Sequence, residues 1–364
     1  MTSTKSTDRW TFLYAKNICF IIGGRKMKSK KILSILLAVL LLMSLAACGN
    51  KDTGVAKPSE GEKEPIKIGI MQFGEFDALL NASEGFKAGL VEAGFVEGEN
   101  VVFNYLSAAA DTSNCPTIAD SLINDGSDLI FAIATPSVLC LKEKTTTIPV
   151  IFSAVTDPVQ SGIIADYDAP GGNISGASDM NPVKEQIDFL LELLPETKTI
   201  AVFYSSSESN SHIQYEMAKS HIEGKGLTCV QKTISAVDEA KSAIESLKGQ
   251  VDAIYIPTDN TVSDAMQIVS TAAHDCGIPT FGAEPAMVAN GAFASYGVNY
   301  FELGKQSAAM AVKVLQSSDP LAEIAKMPIV YQTENLTTAI NATAAEKLGI
   351  EIPQEILDSA EVIK

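Results

Sequence analysis

Positive charge is what this chain is shortest of. Against 44 Asp and Glu it carries 27 Lys and Arg, and eight of those basic residues fall within the first 47 positions beside a single acidic one, Asp8. From Cys48 onward the balance is 19 basic against 43 acidic side chains, or −24. A surface of that sign repels phosphate backbones and anionic lipid, which argues against nucleic-acid partners and against direct adsorption on a membrane. Histidine is scarce as well. His212, His221 and His274 lie far apart, and with Cys115, Cys140, Cys229 and Cys276 they match no zinc-ligand spacing, so no metal or cofactor is expected. Buried free thiols are the expectation for those four cysteines. Catalytic signatures are missing too: downstream of Cys48 there is no Gly-x-Ser-x-Gly elbow, no phosphate-binding glycine loop and no dinucleotide fingerprint. The chain is therefore read as a non-enzyme.

What is present begins at the amino end. Lys28, Lys30 and Lys31 precede an apolar run from Ile32 to Leu45, and Leu45-Ala46-Ala47-Cys48 closes it with small residues before a cysteine. That layout is an export signal of the bacterial lipoprotein kind, in which residues 27–47 are removed and Cys48 carries lipid. The run is shorter than the roughly 20 apolar residues of a membrane span. Residues 1–26, with the only tryptophan, Trp10, add nothing export requires and read as an extension before a start at Met27. Residues 48–65 are rich in Gly, Lys, Glu, Ser and Pro and read as a flexible tether. The expected location is the outer face of the cell membrane, facing the periplasm if the host is Gram-negative.

From Ile66 the pattern alternates between short apolar runs and amphipathic stretches. Strands are expected at 66–71, 101–106, 129–134 and 150–154, with helices at 79–93 and 114–124 and after Thr135. The order recurs with strands at 199–204, 228–233, 253–256 and 280–282 and helices at 211–224, 239–247 and 261–276. Such alternation predicts parallel sheets covered on both faces. Asp128-Leu-Ile-Phe resembles Asp252-Ala-Ile-Tyr, and Ile148-Pro149 resembles Ile278-Pro279. The fold class is therefore α/β, with two flavodoxin-like doubly wound lobes joined by several crossovers. Gly171-Gly172-Asn173 reads as a turn before the first crossing. The later pieces, a strand at 292–298, a helix at 300–315, an extended segment at 329–332 and a helix at 343–348, return to complete the sheets. Lobe 1 is expected to comprise 66–176 plus 297–326, and lobe 2 177–296 plus 327–364.

Ligands of open parallel sheets sit beyond the carboxyl ends of the strands. The loops there are polar: Gln72, Phe73, Glu75 and Phe76 after the first strand, Thr135 and Ser137 after the third, Thr156 and Asp157 after the fourth. The second lobe supplies Tyr204, Ser205, Asn210 and Ser211, then Thr258, Asp259 and Asn260, then Glu284. Hydroxyls at helix starts suit a carboxylate, and acidic side chains suit an ammonium, so together they suit a zwitterion such as an amino acid. Thr135, Ser137, Thr258 and Asp259 are equally ordinary helix caps, and Asp157-Pro158 an ordinary turn.

Five motifs carry a resemblance. Thr156-Asp157-Pro158-Val159, Pro170-Gly171-Gly172-Asn173-Ile-Ser-Gly176, Asp179-Met-Asn-Pro182-Val-Lys-Glu-Gln186, Glu208-Ser-Asn210-Ser211 and Tyr255-Ile-Pro-Thr258-Asp259-Asn260 occur in the order found in the tryptophan and aromatic-amino-acid branch of ABC-transporter substrate-binding proteins. The chain resembles that family from about Ile66 to its end. The resemblance implies a type I periplasmic-binding clamshell that closes on an aromatic or large apolar amino acid and delivers it to a permease driven by an ATPase. It adds Ser178 and Asp179 to the expected ligand-binding residues. The first loop departs from the family pattern, reading Gly74-Glu75-Phe76-Asp77 where many relatives have histidine followed by proline. The alternatives are a ligand sensor of the same fold reporting to a membrane receptor, or a binder of branched-chain amino acids, sugars or nucleosides.

Overall fold

The computed structural model describes residues 64–332 and 336–364. The expected signal, Cys48 and most of the tether lie outside the described residues. Among the described residues no helix is long and apolar enough to cross a membrane.

The first lobe alternates β1 (Ile66–Gln72), α1 (Asp77–Glu92), β2 (Val101–Ser107), α2 (Cys115–Asn124), β3 (Leu129–Ile133), α3 (Thr135–Lys144), β4 (Val150–Ser153) and β5 (Ile174–Ser178). The second follows with α4 (Val183–Leu193), β6 (Thr199–Ser205), α5 (Ser209–Gly224), β7 (Thr228–Ile234), α6 (Ala240–Glu245) and β8 (Ala253–Ile256). It continues through α7 (Asn260–Asp264), α8 (Met266–Cys276), β9 (Thr280–Gly282), α9 (Pro285–Ala289) and β10 (Ala294–Gly297). The chain then makes α10 (Tyr300–Gln316), α11 (Pro320–Ala325), β11 (Val330–Tyr331), β12 (Thr337–Asn341), α12 (Ala342–Leu348), α13 (Gln354–Ser359) and β13 (Glu361–Ile363).

One sheet has the order β2-β1-β3-β4-β5-β11 and the other β7-β6-β8-β9-β10-β12-β13. All pairings are parallel except β10 with β12. The central strands are buried on both faces, as in β3 and β8, because helices cover each side. The sequence repeats have structural causes. Asp128 accepts a bond from the Lys67 amide at 2.8 Å, and Asp252 accepts from the Lys198 and Thr199 amides at 2.9 and 2.8 Å, so each aspartate pins the start of its lobe's first strand. Pro149 and Pro279 carbonyls accept from Ile130 and Ile254 respectively, each at 2.9 Å.

Several details differ from expectation. The run at Ile174–Ser178 is a buried strand of the first sheet rather than the lead into a crossing. Small residues allow it, since a Cβ on Gly176 would lie 2.3 Å from the Phe152 carbonyl oxygen. Ala177 and Ser178 pair with Val330 and Tyr331 in that same sheet, so the chain changes lobe a few residues later than positions 176 and 326. The helix expected at 261–276 is broken at Ala265 into α7 and α8. The small residues of α10 have a clear use. A Cβ on Gly304 would meet the Ala82 carbonyl oxygen at 2.1 Å and one on Gly85 the Phe301 carbonyl oxygen at 2.0 Å, so α1 and α10 touch backbone to backbone. This packing fixes the start of α10, where Tyr300 faces the other lobe.

Candidate ligand site between the lobes

The carboxyl ends of both sheets meet across a narrow central cavity, with space for about one water. Phe76, Leu79, Ala154, Thr156 and Tyr300 line it from the first lobe, Asn210, Thr258, Asp259, Asn260, Ser263 and Glu284 from the second, and Asp179 from the segment between them. The lobes are bonded directly at the rim, where Asn290 Nδ2 donates to Asp77 Oδ2 at 3.0 Å. Beside the crossing, Asn181 Nδ2 donates to Thr258 Oγ1 at 3.0 Å while Asn181 Oδ1 accepts from the Val298 amide at 3.1 Å.

The carboxyl groups of this region are of two kinds. Asp259 accepts from the Ser205 amide at 2.7 Å and, as the cap of α7, from the Val262 amide at 2.8 Å. Glu208 accepts from the Asn260 and Thr261 amides and from both of their side chains, at 2.7 to 3.0 Å. Asp157 closes its own turn, accepting from the Val159 and Gln160 amides, the Gln160 side chain and the Tyr167 hydroxyl. These three are engaged on both oxygens.

Asp179 and Glu284 are the other kind. Asp179 Oδ2 accepts from the Tyr300 hydroxyl at 2.6 Å, and Glu284 Oε1 accepts from Ser263 at 3.4 Å. Asp179 Oδ1 and Glu284 Oε2 are buried with no hydrogen-bond partner in the protein. Burial raises both carboxyls above their usual range. For Glu284 the neighbouring Asp179 adds to the burial effect against weaker help from Ser263 and Tyr300, and it is pushed up to about 8. For Asp179 the Tyr300 and Thr156 side chains oppose the burial effect. Asp259 is raised too, first by burial and then by Glu208, against hydrogen bonds that favour its charge. No Lys, Arg or His lines the cavity among the described residues.

Three long helices, α1, α3 and α5, start at this edge, and their cap residues Phe76, Ala134 and Glu208 make no side-chain cap bond. Helices starting at Asp319 and Asn341 do have such caps. Uncapped first-turn amides are anion donors in waiting. Ala134 and Ala154, in the loops after β3 and β4, hold φ of 76° and 59°, a strained backbone of the sort that clusters at functional sites. Beside the central cavity, and sharing Asn210 with it, is a chamber of about 460 Å³ lined by Pro116, Pro136, Leu139, Cys115 and Cys140 among others.

Of the expected residues, Phe76, Thr156, Asp179, Asn210, Thr258, Asp259, Asn260 and Glu284 come together at the central cavity, and Thr135 lines the chamber. Ser178 supports from behind, its hydroxyl donating to the Thr156 carbonyl at 2.7 Å. Ser205 and Ser211 are buried beside Asp259 and Thr258, the Ser211 hydroxyl donating to the Thr258 carbonyl at 3.0 Å. Others lie apart. Phe73 is in the first lobe's core, Glu75 is exposed, and Gln72 is buried with its Nε2 donating to the Gly74 carbonyl at 2.7 Å. Ser137 is buried on α3 and does not line the cavity. Tyr204 stacks on Tyr215 with ring centroids 5.1 Å apart in the second lobe's core. Tyr300 and Ser263 were not foreseen. Tyr300 had only one signal, its place directly after Asn299, which caps α10 through the Phe301 and Glu302 amides. The four cysteines of the described part are free, with Cys115 buried and the others half-buried.

A family model described as ABC transporter substrate binding protein matches residues 67–364. A tyrosine-binding protein of Clostridioides difficile (strain R20291) is 34% identical over 317 residues, covering 85% of this chain and 92% of the relative. A Streptococcus pneumonia ABC domain solved in complex with L-Trp has a TM-score of 0.78 at 34% identity, covering 82% of this chain and all of the other. A ligand-free, open substrate binding protein from Clostridium difficile has a TM-score of 0.65 at 36% identity, covering 82% and 99%. At nearly equal identity the lobes match the ligand-bound arrangement better than the open one.

Proposed function

From the premise that the chain belongs to the ABC transporter substrate-binding protein family, we propose that it captures an aromatic amino acid between its lobes and presents the closed form to a membrane permease driven by an ATPase. The observation that carries this reading is the pair Asp179 and Glu284, which keep an oxygen free in a cavity without a basic side chain. Free carboxylate oxygens in a dry site call for a cation, and an α-ammonium supplies one. The uncapped starts of α1, α3 and α5 suit the ligand carboxylate. The chamber of about 460 Å³ offers an aromatic side chain the apolar surfaces of Pro116, Pro136 and Leu139, with Glu143, Lys144 and Glu208 also on its lining. The relatives that bind tyrosine and tryptophan support the same class. Because the ligand touches both lobes it favours closure by its differential affinity, and the reading assigns no bond chemistry to the protein.

The same reading keeps Cys48 as a lipidated residue that holds the body at the outer face of the membrane. Cells expressing Cys48→Ala should lose metabolic labelling of the protein by palmitate, and labelling equal to the wild type would remove the anchor. The ligand is tested by native mass spectrometry of protein isolated under gentle conditions. A bound mass of tyrosine, tryptophan or phenylalanine is expected, and a sugar or nucleoside in its place would overturn the assignment.

A further inference from the structure

The charges of the central cavity do not balance for a ligand with one ammonium. Asp259 is supplied by two backbone amides, and Glu208 behind it by two more and by the Asn260 and Thr261 side chains. Every oxygen of both already accepts a bond within the protein. Asp179 and Glu284 each have one, and they face the same small space from the crossing segment and from the second lobe. The groups acting on Glu284 are Asp179, Tyr300 and Ser263, with Asp77 on α1 as a further negative charge. Tyr300 and Thr156 act on Asp179. None of these supplies a positive charge. Two ionised carboxylates in a water-poor cavity repel each other, and one ammonium cancels only one of them.

Resting on the amino-acid reading above, we propose that the closed cleft binds a proton together with its ligand, held on Glu284, while Asp179 stays ionised and takes the ligand ammonium. The division follows from the donors. Asp179 has the Tyr300 hydroxyl at 2.6 Å and Thr156 to stabilise its charge, whereas Glu284 has only a long contact from Ser263 at 3.4 Å and a share of Tyr300. A neutral Glu284 turns its orphaned oxygen into a donor or a lone acceptor without a second buried charge. The proposal requires that both carboxyls face water when the lobes are apart, where the ordinary carboxylate range of about pH 4 applies. Closure on ligand at neutral pH therefore takes one proton from solution. Release reverses this, so an acidic exterior favours capture and a more alkaline one favours discharge.

The sign follows from linkage. A complex that gains one proton weakens as pH rises, its dissociation constant climbing about tenfold per unit between roughly pH 5 and 7. The test is calorimetric titration of the wild-type body with L-tyrosine and L-tryptophan at pH 7 in phosphate and in Tris, whose protonation enthalpies differ. A difference in heat equivalent to about one proton taken up is expected. Glu284→Gln, which has no proton to gain or lose, should remove the buffer dependence and flatten the pH profile of whatever binding it keeps. Binding without proton exchange in the wild type would overturn the inference and leave the amino-acid reading standing. No binding of either amino acid would overturn both. If Glu284→Gln fails to fold, the wild-type proton count decides alone.

Discussion

At the amino ends of their strands the two lobes are near copies. Asp128 and Asp252 pin equivalent strands, and Pro149 and Pro279 accept equivalent backbone bonds. At the carboxyl ends they differ. The first lobe brings Thr156, the strained Ala154 and the Tyr300 hydroxyl, and its aspartate in that region, Asp157, is spent on a turn. The second lobe crowds Glu208, Asp259 and Glu284 together, two of them consumed by backbone amides. Scaffold is repeated where strands begin and chemistry diverges where they end. An acidic residue in a post-strand loop is thus not a ligand group by position alone; what matters is whether its oxygens are already taken.

That distinction can be broken by substitution. The largest effect is expected at Asp179. Asp179→Asn should weaken L-tyrosine binding by about 100-fold or more, because a buried charge-assisted bond is lost. Asp157→Asn should leave the dissociation constant within about threefold and lower the unfolding free energy instead, as for a lost cap at roughly 1 kcal/mol. Equal losses of affinity at both would erase the two kinds of carboxyl.

Next is the joint between helices. Gly304→Val forces side-chain atoms into the space of the Ala82 carbonyl and should cost about 1–3 kcal/mol in denaturant unfolding, with the same change at the exposed Gly224 costing less. The repeat itself predicts a smaller pair of effects. Asp128→Ala and Asp252→Ala should each destabilise, by about 1 kcal/mol at Asp128, which accepts one amide, and somewhat more at Asp252, which accepts two, without altering affinity. A loss confined to one lobe would show that the repeat is only in sequence.

Acidity separates the two carboxyl kinds once more. A group raised in the closed form, as Glu284 is to about 8, favours that form below its usual value and loses the effect as pH climbs through 8. Ligand-free protein should therefore be compact near pH 5 and expanded above pH 8 by small-angle scattering, and Glu284→Gln should respond less. An unchanged radius across that range would place the pair outside the hinge equilibrium.

Much of this architecture is written in the chain's periodicity. Apolar runs such as Leu129–Ile133 and Ala253–Ile256 are buried on both faces and carry that signal plainly. Ile174–Ser178 does not, because its glycine and serines suit close packing on Phe152 rather than any intrinsic strand preference. Thr337–Asn341 and the edge strand Glu361–Ile363 are made by their pairing partners. At the site, Glu284 is legible as an acidic residue after a strand, and Asp179 through the family motif. Tyr300 is not, since it meets Asp179 across 121 positions of chain, and only the backbone contact of α1 with α10 puts it there.

The most direct test is a crystal structure of the body with L-tyrosine. The ligand ammonium is expected within hydrogen-bond distance of Asp179 Oδ1, with Glu284 Oε2 facing the same pocket and the ring in the chamber beside Leu139. An ammonium bound instead at Asp157 or Asp259, with Asp179 and Glu284 turned away, would contradict the account.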